Sequence, residues 1–236
     1  SAPEDKGIDS SILLQMLEKI RSEELNVRSL IVVRNQRLVL ESYIYPYTRY
    51  IPHNTKSASK SIISALTGIA LREKWIDNLD QPVQGFFPRY FPTPGDPLKK
   101  SISLRHLLTM SSGLNIREQT PDTDKIFSSP DPVKTTFDFS MSGKPGQQFN
   151  YLTPLTLVMA SILTETSGKS LEDLAALYLF EPMGIGRVTW KEIPKGYYFT
   201  DAAMCPLDMA KFGMLFLEKG KWEGKQVVTG EWVEES

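Results

Sequence analysis

The chain has 236 residues and a mass of 26.7 kDa, which allows one large domain or two small ones and is ample for a buried core, excluding a staple-dependent miniprotein. Lysine and arginine total 27 against 28 aspartate and glutamate, so the net charge of -1 argues against nucleic acid as a partner. A lone cysteine, Cys205, excludes an intrachain disulfide, and two histidines, His53 and His106, supply an all-protein zinc site poorly. No metal and no cofactor is expected. The longest uncharged stretch, Pro145 to Thr164, has the length of a membrane span, but Pro145, Gly146, Gln147, Gln148, Asn150 and Pro154 argue against one.

In chain order, Asp9 caps a first helix in which Ile12, Leu13, Met16, Leu17 and Ile20 recur at helical spacing, ending near Glu24; its apolar stripe should lie on a sheet. Leu30 to Val33 and Leu38 to Ile44, separated by Asn35-Gln36, read as a hairpin of two strands at least half buried. From Ser57 to about Glu73 comes a helix whose segment Ser61 to Leu71 carries no charge, which marks it as central. Residues 77 to 91 form a loop. Ser103 then caps a short helix, Leu104 to Met110, that ends at Ser111-Ser112-Gly113.

Residues 114 to 150, with Pro121, Pro130, Pro132 and Pro145, are expected to be irregular cover. Thr153-Pro154 starts a helix, with Thr153 as its cap, that Gly168 terminates, and Ser170 with Asp173 opens another to about Phe180. A strand around Tyr197 to Thr200, a helix from Leu207 to Glu218, a Gly-rich turn and a last helix from near Thr229 complete the chain. A lone hairpin is marginal in water and the downstream sequence offers few strands, so further strands are expected beyond Ser236 or from another chain.

Common catalytic templates are absent: no G-x-S-x-G, no G-x-x-x-x-G-K-[ST], no H-E-x-x-H and no G-x-G-x-x-G. One S-x-x-K remains, Ser57-Ala58-Ser59-Lys60, at the head of the apolar helix. The tetrapeptide alone is weak, since about one or two matches arise by chance in a chain of this composition. Its place says more. Residues three apart share a helix face, and poor hydration beside uncharged turns disfavours the ammonium form of Lys60, which suits the free amine to take the proton of a neighbouring hydroxyl. The helix start also favours an oxyanion forming on an acyl group attacked by Ser57. The plainer alternative is a Lys60 that snorkels to solvent or pairs with a carboxylate, and a Ser57 that only caps.

Thr55 to Ser61 and the long block Ile102-Ser103-Leu104-Arg105-His106-Leu107-Leu108-Thr109-Met110-Ser111-Ser112-Gly113-Leu114 resemble the serine β-lactamase-related family of class C β-lactamases, D-Ala-D-Ala carboxypeptidases and related esterases. Asn78 to Val83, Pro145 to Tyr151, Glu181 to Gly184 and Asp208 to Gly213 extend the likeness, which runs from about residue 29 to the end. The resemblance implies a β-lactamase/transpeptidase-like α/β (α+β) fold: an antiparallel sheet flanked by helices plus an all-helical lobe, with a cleft between. As a single domain over 1–236, residues 1–56 and 195–236 would belong to the α/β lobe and 57–194 to the mainly helical one.

Carried over by residue, the resemblance makes Ser57 the nucleophile, Lys60 its base and Tyr151 the group that passes a proton to the leaving group. Class C enzymes have Tyr-x-Asn where this chain has Tyr151-Leu152-Thr153, which places Thr153 at a substrate-contacting position and favours an esterase or amidase over a β-lactamase. The family's Lys-Thr-Gly or His-x-Gly strand is not found in the sequence and would lie beyond Ser236. The expected activity is a serine hydrolase acting on a small-molecule ester, amide or peptide, with no cofactor. A D-Ala-D-Ala carboxypeptidase and a catalytically silent binding protein of the same fold are the alternatives. The resemblance favours a periplasmic or secreted location. His106 reads as a satisfied structural histidine, His53 as a loop residue near the cleft, Asp80 as a loop tie and Cys205 as a small buried side chain.

Overall fold

A computed structural model describes residues 2–186, 188–193 and 197–236. Helix α1 (Ser10–Ser22) starts on Asp9, whose carboxylate accepts the Ser11 N–H at 2.8 Å. Of its apolar stripe Ile20 is buried, Leu13, Met16 and Leu17 are half-buried and only Ile12 is exposed, at 61%, so the stripe is covered in part. Strands β1 (Ser29–Arg34) and β2 (Arg37–Tyr43) form the expected hairpin. Asn35 and Gln36 both take positive φ, 48° and 58°, the pair of left-handed residues whose twist matches that of the flanking strands. Val39 is the one fully buried residue of the two strands, so the hairpin is less enclosed than its composition suggests.

A short strand β3 (His53–Asn54) leads into one turn of 3-10 helix, Lys56–Ala58, and then into α2 (Ser59–Arg72). Next come α3 (Pro97–Lys100) and α4 (Leu104–Leu108). Ser103 and His106 cap α4 reciprocally, the Ser103 N–H donating to His106 Nδ1 at 3.1 Å. The segment expected to be irregular contains two short helices, α5 (Pro121–Phe127) and α6 (Pro132–Asp138). Each starts with a polar cap followed by proline: Thr120 Oγ1 accepts the Asp122 N–H, and Asp131 accepts the Lys134 N–H. The prolines that suggested breaks occupy first-turn positions, where a missing N–H is harmless.

Helix α7 (Thr153–Ser167) ends at Gly168, which adopts the left-handed conformation, and α8 (Leu171–Ala175) opens on the Ser170 hydroxyl. Strand β4 (Thr189–Ile193), which sequence patterning missed, pairs antiparallel with β5 (Tyr197–Met204), and β3 lies on the other side of β5. Thus β4, inside the segment expected to be mainly helical, is bound to a strand beyond residue 195. Helix α9 (Pro206–Leu217) packs on β1, and the hairpin β6 (Lys221–Trp222) and β7 (Lys225–Gln226) precedes α10 (Gly230–Glu235).

The centre of the core is the contact of α2 with α7. Ile62, Ile63, Leu66 and Ile69 from α2 and Leu155, Val158, Met159 and Ile162 from α7 are at most 1% exposed. Each such side chain contributes roughly 1.5–3 kcal/mol by leaving water. Gly68 lets α10 approach this pair, because a Cβ there would overlap the indole ring of Trp232. Among the described residues no helix is long and apolar enough to cross a membrane.

Candidate active site

The head of α2 is held in an unusual conformation. Lys56 has φ of 50°, a left-handed value that strains a side-chain-bearing residue, and its neighbours hold it there from both sides. The N–H and the hydroxyl of Thr55 both donate to the Ala202 carbonyl of β5 at 2.8 Å. Lys56 N–H donates to Asn54 Oδ1 at 2.7 Å, and Ser59 Oγ donates to the Lys56 carbonyl at 2.6 Å. The chain therefore turns sharply between β3 and α2, and the expected helix from Ser57 becomes a 3-10 turn followed by an α-helix. Ser57 is left exposed on that turn.

Lys60 Nζ lies 3.0 Å from Ser57 Oγ, and the Tyr151 hydroxyl lies 2.6 Å from the same oxygen. The ammonium also sits 5.1 Å from the centroid of the Tyr151 ring, close enough for a cation–π contact. Lys60 is half-buried and Tyr151 is 38% exposed. The three side chains singled out in the sequence thus share one point, although Tyr151 is 94 residues from Ser57. Burial alone would push the Tyr151 phenol up, but interaction with Lys60, the hydrogen bond with Ser57 and the Lys60 charge together hold it below the ordinary tyrosine value.

Thr153 has a different place from the one expected. It is 6% exposed, and its hydroxyl donates to Glu118 Oε1 at 2.6 Å instead of being presented to substrate. Its backbone N–H donates to Glu118 Oε2 at 2.8 Å. Thr153 is the first residue of α7 rather than its cap; the preceding Leu152 has no side-chain acceptor, and Glu118 supplies one from the loop before α5. Sequence reading missed Glu118. The available signal was a helix start with an apolar residue in the cap position, which requires an acceptor from elsewhere.

Asn150, an exposed residue, is tied down by its N–H donating to the Met110 carbonyl and its side-chain amide to the Ile116 carbonyl, so that the block before α5 holds both flanks of Tyr151.

The remaining candidates lie apart from this cluster. His106 caps α4, as described. His53 is 9% exposed and stands edge-on to Tyr47 at 5.1 Å between ring centres; burial, then the Arg28 charge, holds its imidazole below the usual value. Asp80 ties its loop to Arg105 at 2.9 Å. Cys205 precedes α9, and burial pushes its thiol up, away from the thiolate form. Among the described residues no group of three or more His, Cys, Asp or Glu side chains is placed to hold a metal ion.

The beta-lactamase family model matches residues 24–226, most of the chain. The chain belongs to the beta-lactamase family. Its fold is the β-lactamase/transpeptidase-like one, with antiparallel sheets and flanking helices, and the family is one of serine hydrolases. Among solved structures it is similar to a protein assigned as a 6-aminohexanoate-dimer hydrolase from Bacillus anthracis, with a TM-score of 0.79 and 21% identity over 92% of this chain and 61% of that one. The octameric penicillin-binding protein homologue from Pyrococcus abyssi gives 0.75 and 19%, over 95% of this chain and 59% of that one. EstCE1, a hydrolase with promiscuous acyltransferase activity, gives 0.75 and 13%, over 92% and 73%. The chain therefore spans only about three fifths of the length of the first and second of these proteins. No curated protein sequence matches it.

Proposed function

We propose that this member of the beta-lactamase family cleaves an ester or amide bond through an acyl-enzyme on Ser57. The observation that carries the reading is the approach of Lys60 Nζ and the Tyr151 hydroxyl to a single oxygen, Ser57 Oγ, at 3.0 and 2.6 Å. In its amine form Lys60 takes the Ser57 proton as Oγ attacks the acyl carbon, and the oxyanion is met by the Ser57 N–H at the head of α2. Tyr151 passes a proton to the departing alcohol or amine. Tyr151 recovers that proton from the protonated Lys60; water then attacks the ester carbonyl, the bond from the acyl carbon to Oγ breaks, and the proton given up by the water returns to Ser57 Oγ as the acid leaves.

A small ester or amide is favoured over a β-lactam because the position two residues after Tyr151 holds a threonine whose hydroxyl is engaged by Glu118. A fluorophosphonate tests the reading without knowledge of the substrate. Ser57 Oγ displaces fluoride from phosphorus, and the mass rises by the phosphonyl group. Labelling of the wild-type protein at Ser57, lost in Ser57→Ala and strongly slowed in Lys60→Ala, is expected. No mass change on the wild type would refute it and leave a silent binding protein of this fold. Release of D-alanine from a muropeptide would instead assign a carboxypeptidase.

A further inference from the structure

Tyr151 can serve Ser57 only if the two residues after it are fixed, and the chain fixes them with a carboxylate that no part of the proposed reaction uses. We propose that Glu118 is a positioning residue: by clamping the amide and the hydroxyl of Thr153 at 2.8 and 2.6 Å, it sets the place of the Tyr151 phenol against Ser57. This inference rests on the Ser57 reading given above.

Two features distinguish the clamp from an ordinary cap. It is bidentate, using both oxygens of one carboxylate on one residue, so it fixes the orientation of the helix start as well as its distance. It also puts a negative charge near the phenol. The charged groups that act on Tyr151 among the described residues are Lys60 and Glu118, and the Ser57 hydroxyl hydrogen-bonds to it. Lys60 and Ser57 favour the phenolate, whereas Glu118 opposes it. The carboxylate thus restrains ionisation of the phenol that Lys60 promotes, which keeps a proton on Tyr151 for the leaving group.

Glu118→Gln keeps the size of the side chain and one carbonyl acceptor while removing the charge. Thr153→Val keeps the charge and removes one of the two bonds. Two quantities are measured: the rate of fluorophosphonate labelling of Ser57, and the pH midpoint of the Tyr151 phenolate absorbance after subtraction of a Tyr151→Phe protein. Glu118→Gln should label about tenfold more slowly at neutral pH, because misplacement of a reacting group by a fraction of an ångström suffices for that loss. Its phenolate midpoint should move to lower pH. Thr153→Val should slow labelling without that downward movement. If the wild type labels at Ser57 but Glu118→Gln matches it in rate and midpoint, the positioning role is overturned and the Ser57 reading stands. If the wild type does not label, the Ser57 reading itself fails.

Discussion

Replacing Tyr151 by phenylalanine deletes one oxygen, the one 2.6 Å from Ser57 Oγ, and keeps the ring over which Lys60 sits. A positioned acid or base contributes about 10²–10⁴-fold to rate, which corresponds to about 3–5 kcal/mol of barrier. The side chain is 38% exposed, so water reaches the vacated position and restores part of the proton path. The loss should fall at the lower end of that range, about a hundredfold. The assay is time-resolved mass spectrometry of acyl-adduct formation with an alkyl ester, whose departing alkoxide needs the proton, run across pH. The phenol is held below its ordinary value, so the wild-type profile should carry an inflection below that value which the phenylalanine variant lacks. A variant that acylates within about twofold of the wild type and keeps the inflection would refute the role given to Tyr151.

Gly68→Ala gains about 1 kcal/mol of helix propensity but drives a methyl into Trp232, an overpacking that costs about 1–3 kcal/mol. A net loss of about 1 kcal/mol in urea unfolding is expected, and a gain would show that the indole yields freely. Asp131 accepts the Tyr90 hydroxyl at 2.6 Å, the Tyr197 hydroxyl at 3.2 Å and the Lys134 N–H at 3.0 Å. Burial alone would raise its carboxyl, but these donors, Tyr90 first, outweigh it and hold the group below the ordinary aspartate value. Its contribution to stability is therefore full above that ordinary value and lost as pH falls through the lowered one; Asp131→Asn should be less stable at neutral pH and show a shallower loss as pH falls below about 4 by denaturant melts. His106→Ala removes the acceptor of the Ser103 N–H and should cost about 1 kcal/mol of stability while leaving the Ser57 labelling rate unchanged. A slowed rate in a folded His106→Ala protein would contradict the purely structural role.

Residues close in sequence told most of their own story. Ser57 and Lys60 are three apart across a 3-10 turn that runs directly into α2, so their meeting follows from local helical spacing. The Asn35-Gln36 turn and the Gly168 stop are likewise local, set by conformations the backbone must adopt within two or three residues. What escaped was settled at long range. Strand β4 exists because β5 offers it a ladder, and its own residues Lys191 and Glu192 give no alternation to recognise. Glu118 reaches α7 across 35 residues, a partnership that nothing adjacent in sequence announces. Helices α5 and α6 were hidden by a local ambiguity, since a proline after Thr120 or Asp131 is equally compatible with a break and with a first turn.

The oxygen of Ser57 travels with α2, and the oxygen of Tyr151 travels with the start of α7. The gap between them is therefore a gauge of how closely two core helices nest, read out at the protein surface. Enlarging or shrinking an interior side chain such as Ile63 or Leu155 would register as reactivity before it registered as unfolding. The stretch connecting the two helices shares that constraint, because α4, α5 and α6 pack on α7 and bury Leu104, Leu107, Ile126 and Val133 in the same core.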